Sequence, residues 1–219
     1  MEKIVITQFS DPMMGLSWEC EPALQQVVGQ FDGAVDLNDR MVVLVRDVAD
    51  FMTSAERALS PEEGIRTYNA RLAQIYLDEQ AIGGVPINMN GFCLFAPDRR
   101  SSLPLCLAYE AAKLVDPAQA RPFLMRLRAA TVQECRPTTK HDEIMRVVRL
   151  CGIDQDAFVT RLENGDALAA LKEDARYAQS LGVVGLPAFS VACGDRMAII
   201  RGVATYELLM RAIDSVTFD

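Results

Sequence analysis

The chain has 219 residues, half of them hydrophobic, and a formal net charge of −8. That length buries one good core, or one domain with a substantial insertion. No apolar run reaches the about 18 residues needed to span a bilayer, and the 22 Lys and Arg are scattered rather than gathered into the basic stripe that nucleic acid requires. Glu2 and a short apolar stretch do not make a secretory signal, so a cytoplasmic setting is expected, with neither membrane nor nucleic acid as partner.

Taken in chain order, residues 3–9 alternate, are rich in β-branched types and read as a first strand. A helix is expected from about Ser17 to Gly29, with Leu24, Val27 and Val28 on one face and Pro22 tolerated near its start. Residues 41–48 read as a second strand. From Ser60 the pattern turns helical for over a hundred residues. Ser60 caps, Pro61 suits the first helical position and Glu63 closes a capping box, followed by a stripe of Ile65, Leu72, Ile75 and Tyr76 that ends at Gly83-Gly84 and Pro86. Pro104, Asp116-Pro117, Thr139 and Asp154 start further helices, and a last one marked by Leu168, Leu171, Ala175, Ala178 and Leu181 stops at Gly182. Strands return at residues 188–192 and 197–201 around a Gly194-Asp195 turn, before an amphipathic helix over residues 205–215. This order predicts an α/β fold in which residues 1–58 and 182–219 form a mixed-sheet domain and residues 59–181 a helical insertion packed over one end of it. The cleft between the two is the expected binding site.

Six cysteines are present, none spaced C-x-x-C, and His141 is the single histidine, at a helix start where a solvated position is the default. No closely paired ligands suggest zinc, so no metal is expected. Scattered thiols in a reducing compartment are most often small buried hydrophobes.

Two segments carry the chemistry. Asp11-Pro12-Met13-Met14-Gly15-Leu16-Ser17-Trp18-Glu19-Cys20-Glu21-Pro22 joins the first strand to the first helix, whose N-terminus presents free backbone N–H groups and the positive end of the dipole, an environment that favours a thiolate. Gly182-Val183-Val184-Gly185-Leu186-Pro187-Ala188-Phe189 places a proline, which cannot donate to a ladder, at the first position of a strand. In their order and spacing these segments resemble the DsbA-like thioredoxin superfamily, in particular its cytoplasmic dithiol-disulfide isomerase or FrnE-like branch. There the first segment runs Asp-Pro-x-Cys-x-x-Cys-Trp with Glu-Pro a few residues on, and the second runs Gly-Val-x-Gly-x-Pro-x-Phe with a cis-proline, here Pro187. The resemblance implies a thioredoxin fold, a four-stranded mixed sheet with a large helical insertion, and a disulfide oxidoreductase or isomerase label. It also places Met14 and Ser17 at the positions of the catalytic cysteine pair. A thioether forms no thiolate and a serine closes no disulfide, so dithiol exchange is expected to be weak or absent.

Several roles stay open. Met14 is either a soft apolar contact for a ligand or a loop residue covering the core edge. Ser17 either caps the first helix, the commoner role, or binds a thiol or carboxylate there. Trp18 packs against the inserted helices or borders the ligand. Cys20 is a structural thiol or a displaced redox thiol. Asp11 and Glu21 could bind a cation, though charges beside a helix start need no such role. The resemblance implies that Leu186, before Pro187, offers its backbone to an extended peptide or to glutathione by strand addition. Peptide or small-thiol binding is therefore the leading expectation. A glutathione-dependent transferase or isomerase of the kappa-class or hydroxychromene carboxylate type is the alternative, weakened because those enzymes carry serine at the position of Met14. A homodimer is also possible, since related folds often pair.

Overall fold

The computed structural model describes residues 2–31 and 33–217. Its organising element is β1 (Ile4–Ser10), which pairs in parallel with β2 (Val35–Met41) on one side and antiparallel with β3 (Ala188–Cys193) on the other; β3 continues antiparallel to β4 (Arg196–Arg201). The sheet order is therefore β2-β1-β3-β4, mixed and four-stranded.

The two-residue period of β1 sorts its side chains. Ile4 and Ile6 pack with Leu24 and Val27 of α2 (Glu21–Gln30) and with Leu209 and Ile213 of α10 (Tyr206–Thr217). Phe9 faces the other way, against Ala178 and Tyr177 of α9 (Asp166–Ser180). Covered on both faces, β1 is almost wholly buried, as a central strand between helix layers should be.

Between β2 and β3 run α3 (Ser54–Arg57), α4 (Pro61–Gly83), α5 (Leu103–Val115), α6 (Pro117–Val132), α7 (His141–Leu150), α8 (Gln155–Glu163) and α9. Their apolar faces form a second core that includes Tyr68, Leu72, Phe95, Phe123 and Phe158 and draws in Met13 and Trp18 from the first segment. Local signals account for the helix ends. Ser60 accepts from the Glu63 N–H, Asp116 from Ala118 and Gln119, and Asp154 from Ala157, while Gly84 takes the left-handed conformation at φ 72° that closes α4. The reciprocal capping box lies one helix earlier than expected, between Thr53 and Glu56 at α3.

Two expectations are corrected. The second strand is not residues 41–48 but Val35–Met41. Its sequence, VDLNDRM, looks too polar for a strand, yet distant groups neutralise its charges: Lys3 pairs with Asp36, Arg121 with Asp39, and Asp174 with Arg40. The apolar run after Met41 continues extended, with Val42 N–H bonded to the Ser10 carbonyl, but passes beneath the helices as irregular chain. The first helix is also broken: α1 (Gly15–Glu19) and α2 meet at Cys20.

Candidate functional site

The Leu186–Pro187 peptide bond is cis, and the loop carrying it faces the start of α1 across a cleft of about 220 Å³. Met13, Met14 and Leu16 line it together with Leu72, Ile75 and Tyr76 of α4, Phe51 and Leu186.

A buried carboxyl sets the geometry of the first wall. Asp11 accepts hydrogen bonds from the Met13 N–H at 3.1 Å, the Leu44 N–H at 2.8 Å and the Ser102 hydroxyl at 2.5 Å, and the Cys106 thiol lies 3.5 Å away. Burial pushes its pKa up against the pull of those donors. The loop is thereby tied to the chain leaving β2 and to α5. Tyr76 adds a second tether, donating its hydroxyl to the Met13 carbonyl at 2.5 Å. Asp11→Asn keeps the volume but leaves one of the two buried N–H groups without an acceptor. We expect a loss of about 1–2 kcal/mol, the desolvation cost of such a group, read from the urea midpoint.

The contact between α1 and α4 is reciprocal. A Cβ on Gly15 would overlap Glu79 Oε2, and a Cβ on Gly83 would overlap the Glu19 carbonyl. Each glycine, four residues from the acid on its own helix, makes room for the acid of the other. The Leu16 N–H donates to the Glu79 carboxylate, and the N–H groups of Gly83 and Val85 donate to Glu19 Oε2 at 3.1 and 3.0 Å. Burial first, then the neighbouring Glu19, raise Glu79 to about 7. Glu79 Oε2 and Glu19 Oε1 are buried and have no hydrogen-bond partner. Arg71, the one basic side chain lining the cleft, is already committed to Glu56 at 2.9 Å and to the Phe51 carbonyl at 2.8 Å.

Of the residues singled out from the sequence, Met14 and Leu186 reach the cleft. Met14 both covers the core edge and lines the site. Ser17 does not cap: the cap position of α1 is Met14, with no side-chain cap bond, because the helix begins two residues earlier than expected. The Ser17 hydroxyl is fully buried and points to the Met14 sulfur at 3.9 Å. Trp18 packs in the helical core, and Pro187 is buried behind Leu186. Cys20 lies in the core beneath the sheet, where burial raises its thiol to about 11, so it is protonated at neutral pH. The other cysteines are also free thiols, and burial raises Cys106, Cys135 and Cys151. Asp11 and Glu21 are not cation sites: Asp11 holds the donors above, and Glu21 pairs with Arg121 and Arg128. Among the described residues no group of His, Cys, Asp and Glu is placed to hold a metal. The sequence reading missed Glu79, Phe51 and Leu44. Glu79 carried one signal, its place three and seven residues beyond Tyr76 and Leu72 on the stripe of α4.

The mixed four-stranded sheet, the cis-proline loop facing a helix start and the helical block between β2 and β3 define a thioredoxin fold of the DsbA-like type. The family profile described as Thioredoxin matches residues 8–210, and the chain belongs to that family. No curated protein sequence matches it. Among solved structures it is similar to the cytosolic disulfide reductase DsbM from Pseudomonas aeruginosa, with 17% identity over 90% of this chain and 88% of that one and a TM-score of 0.67. DsbM has also been solved with GSH. A candidate protein disulfide isomerase from Nitrosomonas europaea is 16% identical over 97% of both chains, with a TM-score of 0.70. A 2-hydroxychromene-2-carboxylate isomerase is 16% identical over 95% of this chain and 94% of that one, with a TM-score of 0.60. At such identities the similarity is one of fold. Among the described residues no helix is long and apolar enough to cross a membrane.

Proposed function

We propose that this chain is a binding member of the thioredoxin family, holding an extended peptide in the cleft without dithiol exchange. The observation that carries this reading is at Leu186. Among the described residues its backbone N–H and carbonyl make no hydrogen bond, and it lines an apolar cleft together with the Met14 side chain. An extended backbone can pair with those two groups as an added strand, and its side chain can enter the cleft. Val184, 92% exposed two residues before, offers further apolar contact. The first segment supports the absence of exchange, since Met14 and Ser17 stand where the family pattern has thiols and Cys20 is buried and protonated. A cytoplasmic setting suits six unpaired cysteines.

The test has two arms. In an insulin-reduction assay with dithiothreitol, the chain and Cys20→Ala are both expected to add nothing to the rate of the reductant alone; a rate that disappears in Cys20→Ala would return Cys20 to a redox role. In solution NMR, an apolar blocked peptide is expected to shift the Leu186 and Val184 amides, and no shift from any peptide would end the reading.

A second reading, a glutathione-dependent transferase or isomerase, is favoured by the fold shared with DsbM, solved with GSH, and with the hydroxychromene isomerase. The complete burial of Ser17 counts against it, because that hydroxyl does not line the cleft. Calorimetry with glutathione decides: no heat of binding removes it.

A further inference from the structure

We propose that the cleft selects a peptide carrying an apolar side chain beside a basic one, Lys or Arg, whose cation pairs with Glu79. This rests on the peptide-binding reading above and adds the chemistry of the occupant.

Glu79 lines the cleft, accepts a hydrogen bond from the Leu16 N–H and has no cationic partner among the described residues, while its Oε2 is shut against Gly15. A carboxylate at an apolar wall with no cation beside it is costly to charge until a donor reaches it. Such a donor is not supplied from within. The groups facing Glu79 are Glu19 of α1, 3% exposed and also with one unpartnered oxygen, and Tyr76 of its own helix, whose hydroxyl is occupied by Met13. Arg71 stands along the same wall but is held by Glu56 and the Phe51 carbonyl. The open charge of the cleft is therefore negative, in a protein whose formal net charge is −8. Methionine and leucine side chains beside it suit an aliphatic group, because Met adapts its shape to what it packs against. A lysine or arginine next to that group sets its apolar stem along Ile75 and Tyr76 and brings its head to Glu79, a charge-assisted contact of the stronger kind. Glutathione, with two carboxylates and a net negative charge, is a poor match for this wall. With Glu79 held near pH 7 by burial and Glu19, the preference strengthens from pH 6 to pH 8 as the carboxyl ionises.

The test compares the end-blocked hexapeptide Ala-Ala-Leu-Lys-Ala-Ala with its norleucine-for-lysine version and with glutathione, on the full chain, by calorimetry and by the Leu186 amide shift. At pH 8 the lysine peptide is expected to bind about tenfold tighter than the norleucine peptide, the scale of one well-placed charge pair. Glu79→Gln, an isosteric change, brings the lysine peptide down to the affinity of the norleucine one. Within the unaltered protein, the gap narrows at pH 6. Should both peptides shift Leu186 with equal affinity, the role of Glu79 falls while the peptide-binding reading stands. Tighter binding of glutathione than of either peptide overturns the proposed selectivity. If neither peptide moves Leu186, the peptide-binding reading fails and takes this one with it.

Discussion

Arg128→Leu is expected to lower the unfolding free energy by about 3–5 kcal/mol, the cost of breaking a buried ion pair from one side. Arg128 is fully buried on α6, where its guanidinium spans three elements. It donates to Gln8 Oε1 at 3.2 Å and to the Ser10 hydroxyl at 2.7 Å on β1, and to Glu21 Oε1 at 2.9 Å at the start of α2. Glu21 is held from its other oxygen by Arg121 at 2.6 Å, which also reaches Asp39 of β2 at 2.7 Å. Burial raises the pKa of Glu21 and the two arginines oppose it. Leucine in place of Arg128 therefore leaves a buried carboxylate with half its compensation and two buried acceptors with none. The double variant Arg128→Leu with Glu21→Gln should lose less than the sum of the two single changes, because it removes the stranded charge with the cation. Arg128→Lys should not rescue, since a point ammonium cannot present the planar fork that meets all three partners. Urea unfolding midpoints of the original and these four variants check this; an Arg128→Leu protein within about 1 kcal/mol of the original, an amount typical of surface sites, would contradict it. The same network braces β1 and α2 on either side of the 11–16 loop, so loss of the cleft is expected to accompany it.

Stability should also fall as pH rises from about 5 to 9. Glu110 of α5 is 1% exposed and lies beside Asp174 of α9; burial, then Asp174, raise its carboxyl to about 8 from 4.5. Asp174 is the acceptor for Arg40 Nη1 at 2.7 Å and the Met41 N–H at 2.9 Å, which tie α9 to β2. Glu110 holds its proton at neutral pH, although the Lys113 ammonium 3.7 Å away opposes this. In the window between the two pKa values the folded chain binds more protons than the unfolded one, so stability is fully present below about pH 4.5 and is lost as pH climbs through about 8. At no more than about 1.4 kcal/mol per pKa unit for a buried group, roughly 3 kcal/mol is expected to go across that range. Glu110→Gln keeps a donor toward Asp174 and carries no charge, so its unfolding midpoint should be higher at pH 9 and its decline much shallower. A decline unchanged in Glu110→Gln would place the titration elsewhere. Glu79, at about 7, adds a smaller fall of the same sign, reduced because it is partly open to solvent.

The corrections show where local reading stops. Ser60-Pro61, Asp116-Pro117, Asp154 and Gly84 begin or end helices because each acts on backbone groups within one turn, and their chemistry is complete in a few residues. β2 escaped because Asp36, Asp39 and Arg40 are made tolerable in a strand by Lys3, Arg121 and Asp174, one just before β1 and two from the helical block. Its true register depends on which strand it joins, not on its own composition. Ser17 escaped for a related reason: the start of α1 is set by Asp11 holding the Met13 and Leu44 N–H groups, and that shift turns the hydroxyl inward.

The amino-acid order alone therefore determined the class of fold, the two loops that border the cleft and the presence of Met14 and Ser17 where the family pattern has cysteines, because these are written as residue types at fixed spacing. Only the folded chain decided that Met14 and Leu186 line the cleft while Ser17, Trp18 and Cys20 are buried beside it, and that Glu79 brings a carboxyl to its wall. Which side of a helix faces a cleft, and which charge is left without a partner, depend on elements more than sixty residues apart meeting in space, and no local pattern records that meeting.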